Sequence, residues 1–205
     1  MIGNQAKIEV GGKEVLTLRD ILPTAPGLRV LFVGKVPAPV SVEVGHYFQG
    51  KQGRIFWKIL KEKGLLQQTT DYEDDSLLQH GYGITDIVKV PREYKEEPSD
   101  VEYAEGAPQV VNLISVHRPK IIVFVYKRVL DKILKFQFGK EERSAYGFNP
   151  SLDELFGARV FAFPLPGTPC TKEHAECAME ELASAVRASR RLRPQTAPPR
   201  KIFRE

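Results

Sequence analysis

The chain has 205 residues, 42% of them hydrophobic and 27% charged, and its 30 Lys and Arg outweigh 26 Asp and Glu for a net charge of +4. That length and apolar content suit one globular domain with a substantial core, not a disordered chain. No apolar run approaches the roughly 20 residues of a spanning helix, and two cysteines, Cys170 and Cys177, are too few for a disulfide framework or a four-thiolate cluster.

Residues 1–22 form an N-terminal extension, with polar Asn4, Gln5 and Lys7 where a secretory leader would be apolar. A buried strand is predicted over 29–34, ending at Gly34. A long loop rich in Pro and Gly follows over 35–53, then a helix marked by Phe56, Ile59 and Leu60 that stops at Gly64. Residues 82–88 read as a second strand. Pro108 opens the apolar part of a second helix, with Val110, Leu113, Ile114 and His117 at helical spacing. The clearest strand is 120–126, and its helix places Val129, Leu130, Ile133 and Leu134 on one side. A loop holding Gly147 and Pro150 leads to a fourth strand over 159–164. The last helix, 172–189, buries Ala175, Ala178, Met179, Leu182 and Val186, and residues 190–205 are a basic, Pro-rich tail.

Four strand–helix alternations predict an α/β fold: a three-layer sandwich around a central four-stranded parallel sheet, spanning residues 23–189. Ligands of such sheets bind at the carboxyl ends of the strands. The loop after the first strand stands out there. Gly34-Lys35-Val36-Pro37-Ala38-Pro39 gives a glycine exit stiffened by prolines, and Gly45-His46-Tyr47-Phe48-Gln49-Gly50 adds aromatic rings. A flat heterocycle, such as a flipped-out base, could be stacked and hydrogen-bonded on that shelf. No Gly-x-Gly-x-x-Gly or Walker-type lysine follows the strand, which argues against a nucleotide-handling enzyme on a similar sheet. The four histidines, His46, His80, His117 and His174, lack metal-ligand spacing, and no metal or cofactor is expected.

Six segments in order carry a family resemblance: the Gly34-Lys35-Val36-Pro37 turn, Gly45-His46-Tyr47-Phe48, Phe56-Trp57-Lys58, the strand from Gly81 to Val88, the strand from Pro119 to Phe124, and Leu165-Pro166-Gly167-Thr168-Pro169-Cys170. Together they resemble the uracil-DNA glycosylase superfamily, most of all its mismatch-specific uracil/thymine branch. The resemblance implies a monofunctional glycosylase that flips a damaged or mismatched base out of double-stranded DNA and lets water attack C1′. It implies Gly34, Lys35, Val36, Tyr47, Phe48 and Tyr126 around the base, with Tyr47 or Phe48 stacking. It also implies that Gly167, Thr168 and Pro169 enter the DNA. Lys172 and His174 at the following helix start, and Arg54, suit the phosphate backbone. A monomer at the nucleoid in the cytoplasm is the corresponding expectation, with no membrane partner.

The sequence departs from that family where asparagines are expected. Val36 stands where an asparagine would position the attacking water, Arg54 and Asp86 replace two more, and the third strand ends Val125-Tyr126 in place of Asn-Gly. Candidates to activate water are therefore Asp86, His46 and Glu43. The alternative is a catalytically inactive DNA-binding protein of the same fold.

Overall fold

The computed structural model describes residues 1–93, 96–141 and 143–190. The tail over 191–205 lies outside the described residues. Strands β1 (Gln5–Val10) and β2 (Lys13–Leu18) form a hairpin. After them come β3 (Val30–Gly34), helices α1 (Pro39–Val44) and α2 (Lys51–Glu62), β4 (Tyr82–Asp86), α3 (Asp100–His117), β5 (Ile121–Phe124), α4 (Lys127–Phe138), β6 (Gly147–Phe148), α5 (Asp153–Phe156), β7 (Arg159–Ala162) and α6 (Lys172–Arg190).

The main sheet has the order β4-β3-β5-β7-β6. Its first four strands are parallel and are those expected from the apolar runs. The fifth corrects the four-stranded count: β6 pairs antiparallel with β7 at the edge. Two residues are too short to show a period. Gly147 supplies a backbone at φ +89°, and the Asn149 side chain bonds the carbonyls of Ala145 and Gly147, each at 3.0 Å, closing the turn into the strand.

Alternation along each parallel strand builds the three layers. Val30, Phe32, Ile84, Ile121, Val123 and Phe161 pack toward α2 and α6, through Phe56, Trp57, Leu60, Met179 and Leu182. Leu31, Val33, Ile122, Phe124, Val160 and Ala162 point the other way, onto Val110 and Ile114 of α3 and Val129, Leu130, Ile133 and Leu134 of α4. Burying each large apolar side chain contributes about 1.5–3 kcal/mol.

Three elements differ from the sequence expectation. The hairpin arises at Gly11 and Gly12, whose φ of +58° and +74° suit the tight turn that twisted strands prefer. The expected loop over 35–53 contains α1, which starts on Pro39 and stops at Gly45 in the left-handed region. Helix α3 begins eight residues before Pro108, because Ser99 and Glu102 form a reciprocal capping box. Pro108 lies inside it and removes one helical hydrogen bond. Gly106 lets α3 approach the sheet, since a Cβ there would lie 2.1 Å from the Ile87 carbonyl oxygen. Gly106→Ala is expected to lower stability by about 1–3 kcal/mol in urea denaturation.

Candidate active site

The chain leaves β3 toward β4 on one side and leaves β5 toward β7 on the other. Adjacent parallel strands whose connections diverge leave a crevice at their carboxyl tips. A cleft of about 450 Å³ lies there. Lys35 and Val36 enter it after β3, and Tyr126 after β5. Phe48 and the first turn of α2 form a wall, Leu18 at the end of β2 another, and Arg92 and Glu93 close it from the segment after β4. An aromatic and aliphatic cleft of this size can hold a nucleobase.

Gly34, Asp86 and Phe48 are packed as one unit behind that cleft. A Cβ on Gly34 would lie 2.0 Å from Asp86 Oδ1 and 3.0 Å from the tip of the Phe48 ring. Glycine is therefore required for the carboxyl to reach the β3 exit. Asp86 is 2% exposed, and neither of its oxygens has a hydrogen-bond partner. Burial pushes its pKa up to about 7; the charge of Lys89 opposes that shift and Asp20 adds to it. Phe48, the other neighbour of Gly34, has a backbone at φ +58°, a strained conformation for a bulky residue. Gly53 in α2 makes room for it, since a Cβ there would lie 2.2 Å from the Phe48 carbonyl oxygen.

The other expected residues divide into two groups. Lys35, Val36, Tyr47, Phe48 and Tyr126 all line the cleft. Lys35 is not free: its Nζ lies 2.8 Å from Glu97 and 5.7 Å from the centre of the Tyr126 ring. Tyr47 is 1% exposed, its hydroxyl donates to the Arg19 carbonyl at 3.2 Å, and burial raises its pKa well above the usual phenol value. It is a wall held in place, beside the Phe48 ring, which packs edge-on against Phe56 at 5.2 Å. Outside the cleft lies His46, buried against Asp74 at 2.8 Å and stacked on Tyr72 at 3.7 Å. Among the described residues His46, Asp74 and Asp75 form one potential metal-ligand group. Asp74, however, already accepts from the Tyr47 backbone N–H, from His46 and from Asn4. The group is a clamp on the loop before α2. Glu43 is exposed on α1, and Arg54 is exposed on α2. Gly167, Pro169, Lys172 and His174 are exposed and Thr168 half-buried around the start of α6, where the Thr171 hydroxyl accepts the His174 backbone N–H at 3.2 Å.

A model of the Uracil DNA glycosylase superfamily matches residues 23–169, from just before β3 to the turn that precedes α6. The chain belongs to this superfamily. Its members are DNA glycosylases, hydrolases of base excision repair that act on DNA, and that is the general activity of this glycosylase. No helix among the described residues is long and apolar enough to cross a membrane.

Sequence reasoning missed three parts of the glycosylase cleft. Arg92 and Glu93 lie in a polar stretch that the strand run 82–88 did not reach. Leu18 belongs to a hairpin outside the matched family region. The start of α2 is set by Gly50 as N-cap, with no side-chain cap and no acid in the first turn; a glycine before a basic residue was the one available sign.

The Asp86 environment has a direct consequence for stability. In the unfolded chain its pKa returns to about 3.9, so between that value and about 7 the folded state holds more protons than the unfolded state. The Asp86 contribution to stability is therefore greatest in acid and declines as pH rises through that window. Asp86→Asn is expected to exceed the wild type in stability by about 2–4 kcal/mol at pH 8, with the gap closing toward pH 4, in paired urea titrations.

Proposed function

We propose that this chain is a monofunctional glycosylase that flips a damaged or mismatched base into the cleft above Gly34, with Asp86 as its non-standard catalytic group. The observation that carries the reading is the convergence of Lys35, Val36, Phe48 and Tyr126 on one nucleobase-sized cleft at the β3/β5 tips, with a buried, unpartnered carboxyl directly behind its wall.

Of the three candidates to activate water, we favour Asp86. His46 is engaged by Asp74 and Tyr72, and Glu43 faces solvent on α1. Asp86 and the tip of the Phe48 ring both lie close against Gly34 at the end of β3. Withdrawal of that ring on base entry opens the carboxyl to a water beneath the sugar. An acid that titrates near neutrality is half-ionised there, which suits both proton acceptance and stabilisation of the positive sugar. Val36 contributes shape: it excludes the water site that an asparagine would offer, and leaves activation to the carboxyl below. Double-stranded DNA is the partner, with the exposed segment around Gly167, Thr168 and Pro169 placed to meet it and Lys172, His174 and Arg54 facing phosphate.

Duplexes carrying uracil, xanthine, hypoxanthine or mismatched thymine are expected to yield an alkali-labile abasic site with at least one of these bases. Asp86→Ala lowers the single-turnover rate roughly 10²–10⁴-fold while DNA binding persists. Tight binding of every duplex with no alkali-labile product would refute the enzymatic reading. The basic tail is tested apart: a chain ending at Ser189 should bind with a flatter salt dependence, each lost phosphate contact removing roughly 0.9 from the log–log slope. An unchanged slope would place the tail outside the interface.

A further inference from the structure

The parallel strands also have an amino end, at the pole opposite the cleft, and cations collect there. Arg29 precedes β3, Lys120 precedes β5 and Arg159 opens β7. Backbone bonds keep them nearly level: the Ile121 N–H donates to the Arg29 carbonyl and the Arg159 N–H to the Lys120 carbonyl, both at 3.1 Å. Neighbouring strands lie about 4.8 Å apart, so three cationic residues start close together across one edge of the sheet. Helix α6 ends on them. Arg29 donates to the carbonyls of His80 at 2.8 Å and Val186 at 2.9 Å, and Lys120 Nζ to that of Ser189 at 3.3 Å.

Two further arginines flank this row. Arg118 is exposed at the end of α3. Its φ of +45° suits glycine better than a branched chain of atoms, so a cation is held there at a local cost. Arg187 is exposed in the last turn of α6. Arg118 and Arg159 join no ion pair among the described residues. Arg187 has Glu180 nearby, but Lys63 already holds that carboxylate at 2.8 Å. Asp153 and Glu154 of α5 stand on the β7 side, where Asp153 is engaged by the Val160 N–H at 2.9 Å. The sequence beyond Arg190, outside the described residues, adds five more Lys and Arg against Glu205.

We infer that this pole is a second polyanion-binding surface, which holds a second segment of double-stranded DNA while the first lies across the cleft. Arginine forks suit phosphate oxygens, and each phosphate neutralised releases counterions. The superfamily acts on DNA, which makes a duplex the polyanion that fits. One short duplex cannot serve both ends of the sheet, because DNA is stiff over about 150 base pairs. A chain with two such surfaces would pass between neighbouring duplex segments without leaving both. Only the placement of the first duplex rests on the glycosylase reading.

The test is sedimentation of the full chain with a short undamaged duplex at low salt. Wild type is expected to take up two duplexes per chain, and Arg118→Glu/Arg187→Glu only one. In Arg118→Gln and in Arg187→Gln the second binding step is expected to lose roughly 0.9 from its log–log salt slope, with the first step unchanged. One duplex per wild-type chain, a second duplex retained with unaltered slope by the variants, or two chains joined around the DNA overturns the assignment. So does polyglutamate bound at these arginines with no second duplex, which would make an acidic protein the partner. Should the double variant not fold, the two single variants decide by their slopes. Wild type that excises no base yet takes up two duplexes would end the glycosylase reading and keep the pole; excision with one duplex per chain would do the reverse.

Discussion

Parallel pairing of β3 with β4 on one side and β5 on the other governs the rest of the molecule. Because the chain departs from those neighbouring tips in opposite directions, no crossover roofs the space between them. Every segment that trails a strand tip must then pass around the opening instead of over it. The loop after β3, the start of α4 at Tyr126 and the segment holding Arg92 each contribute a wall for this reason. The order β4-β3-β5-β7 thus creates the site before any particular side chain is considered.

Within that frame the protein tolerates two local costs next to each other. Asp86 is buried with no donor to either oxygen, an arrangement that favours the neutral acid and holds its ionised form at a disadvantage. Phe48, on the other side of Gly34, holds a left-handed backbone. Both are sustained by close approaches that only glycine allows, at Gly34 and Gly53. Unrelieved strain and unsatisfied polarity gathered around one opening fit a site whose bonding is completed by a substrate. Rigid packing elsewhere, such as Phe56 edge-on to Phe32 and Phe163 at 5.4 and 5.0 Å, supplies the support.

Much of this was legible in the residues. The runs ending at Gly34 and Phe124 and the face formed by Val129, Leu130, Ile133 and Leu134 follow periods that burial imposes, and all are found where those periods put them. The same logic brought Lys35, Val36, Tyr47, Phe48 and Tyr126 to one cleft, since each follows a strand tip or sits in the loop between the first strand and its helix. What stayed hidden depends on contacts between distant segments. His46 looked available until Asp74, 28 residues on, was seen to hold it. Glu43 is turned away by a helix too short to show a period. Arg92 is an unremarkable arginine in a polar stretch until Pro37 and Glu102 fix it at the rim.

The hairpin of β1 and β2 precedes the region shared with the superfamily, yet it is stitched to the core of the site. The Asn4 backbone N–H donates to the Gly45 carbonyl at 2.7 Å, the Gln5 side chain reaches the Val42 carbonyl at 2.8 Å, and Leu18 forms part of the cleft itself. The region matched to the superfamily, residues 23–169, therefore does not enclose the cleft by itself: one wall is supplied from β2, ahead of it.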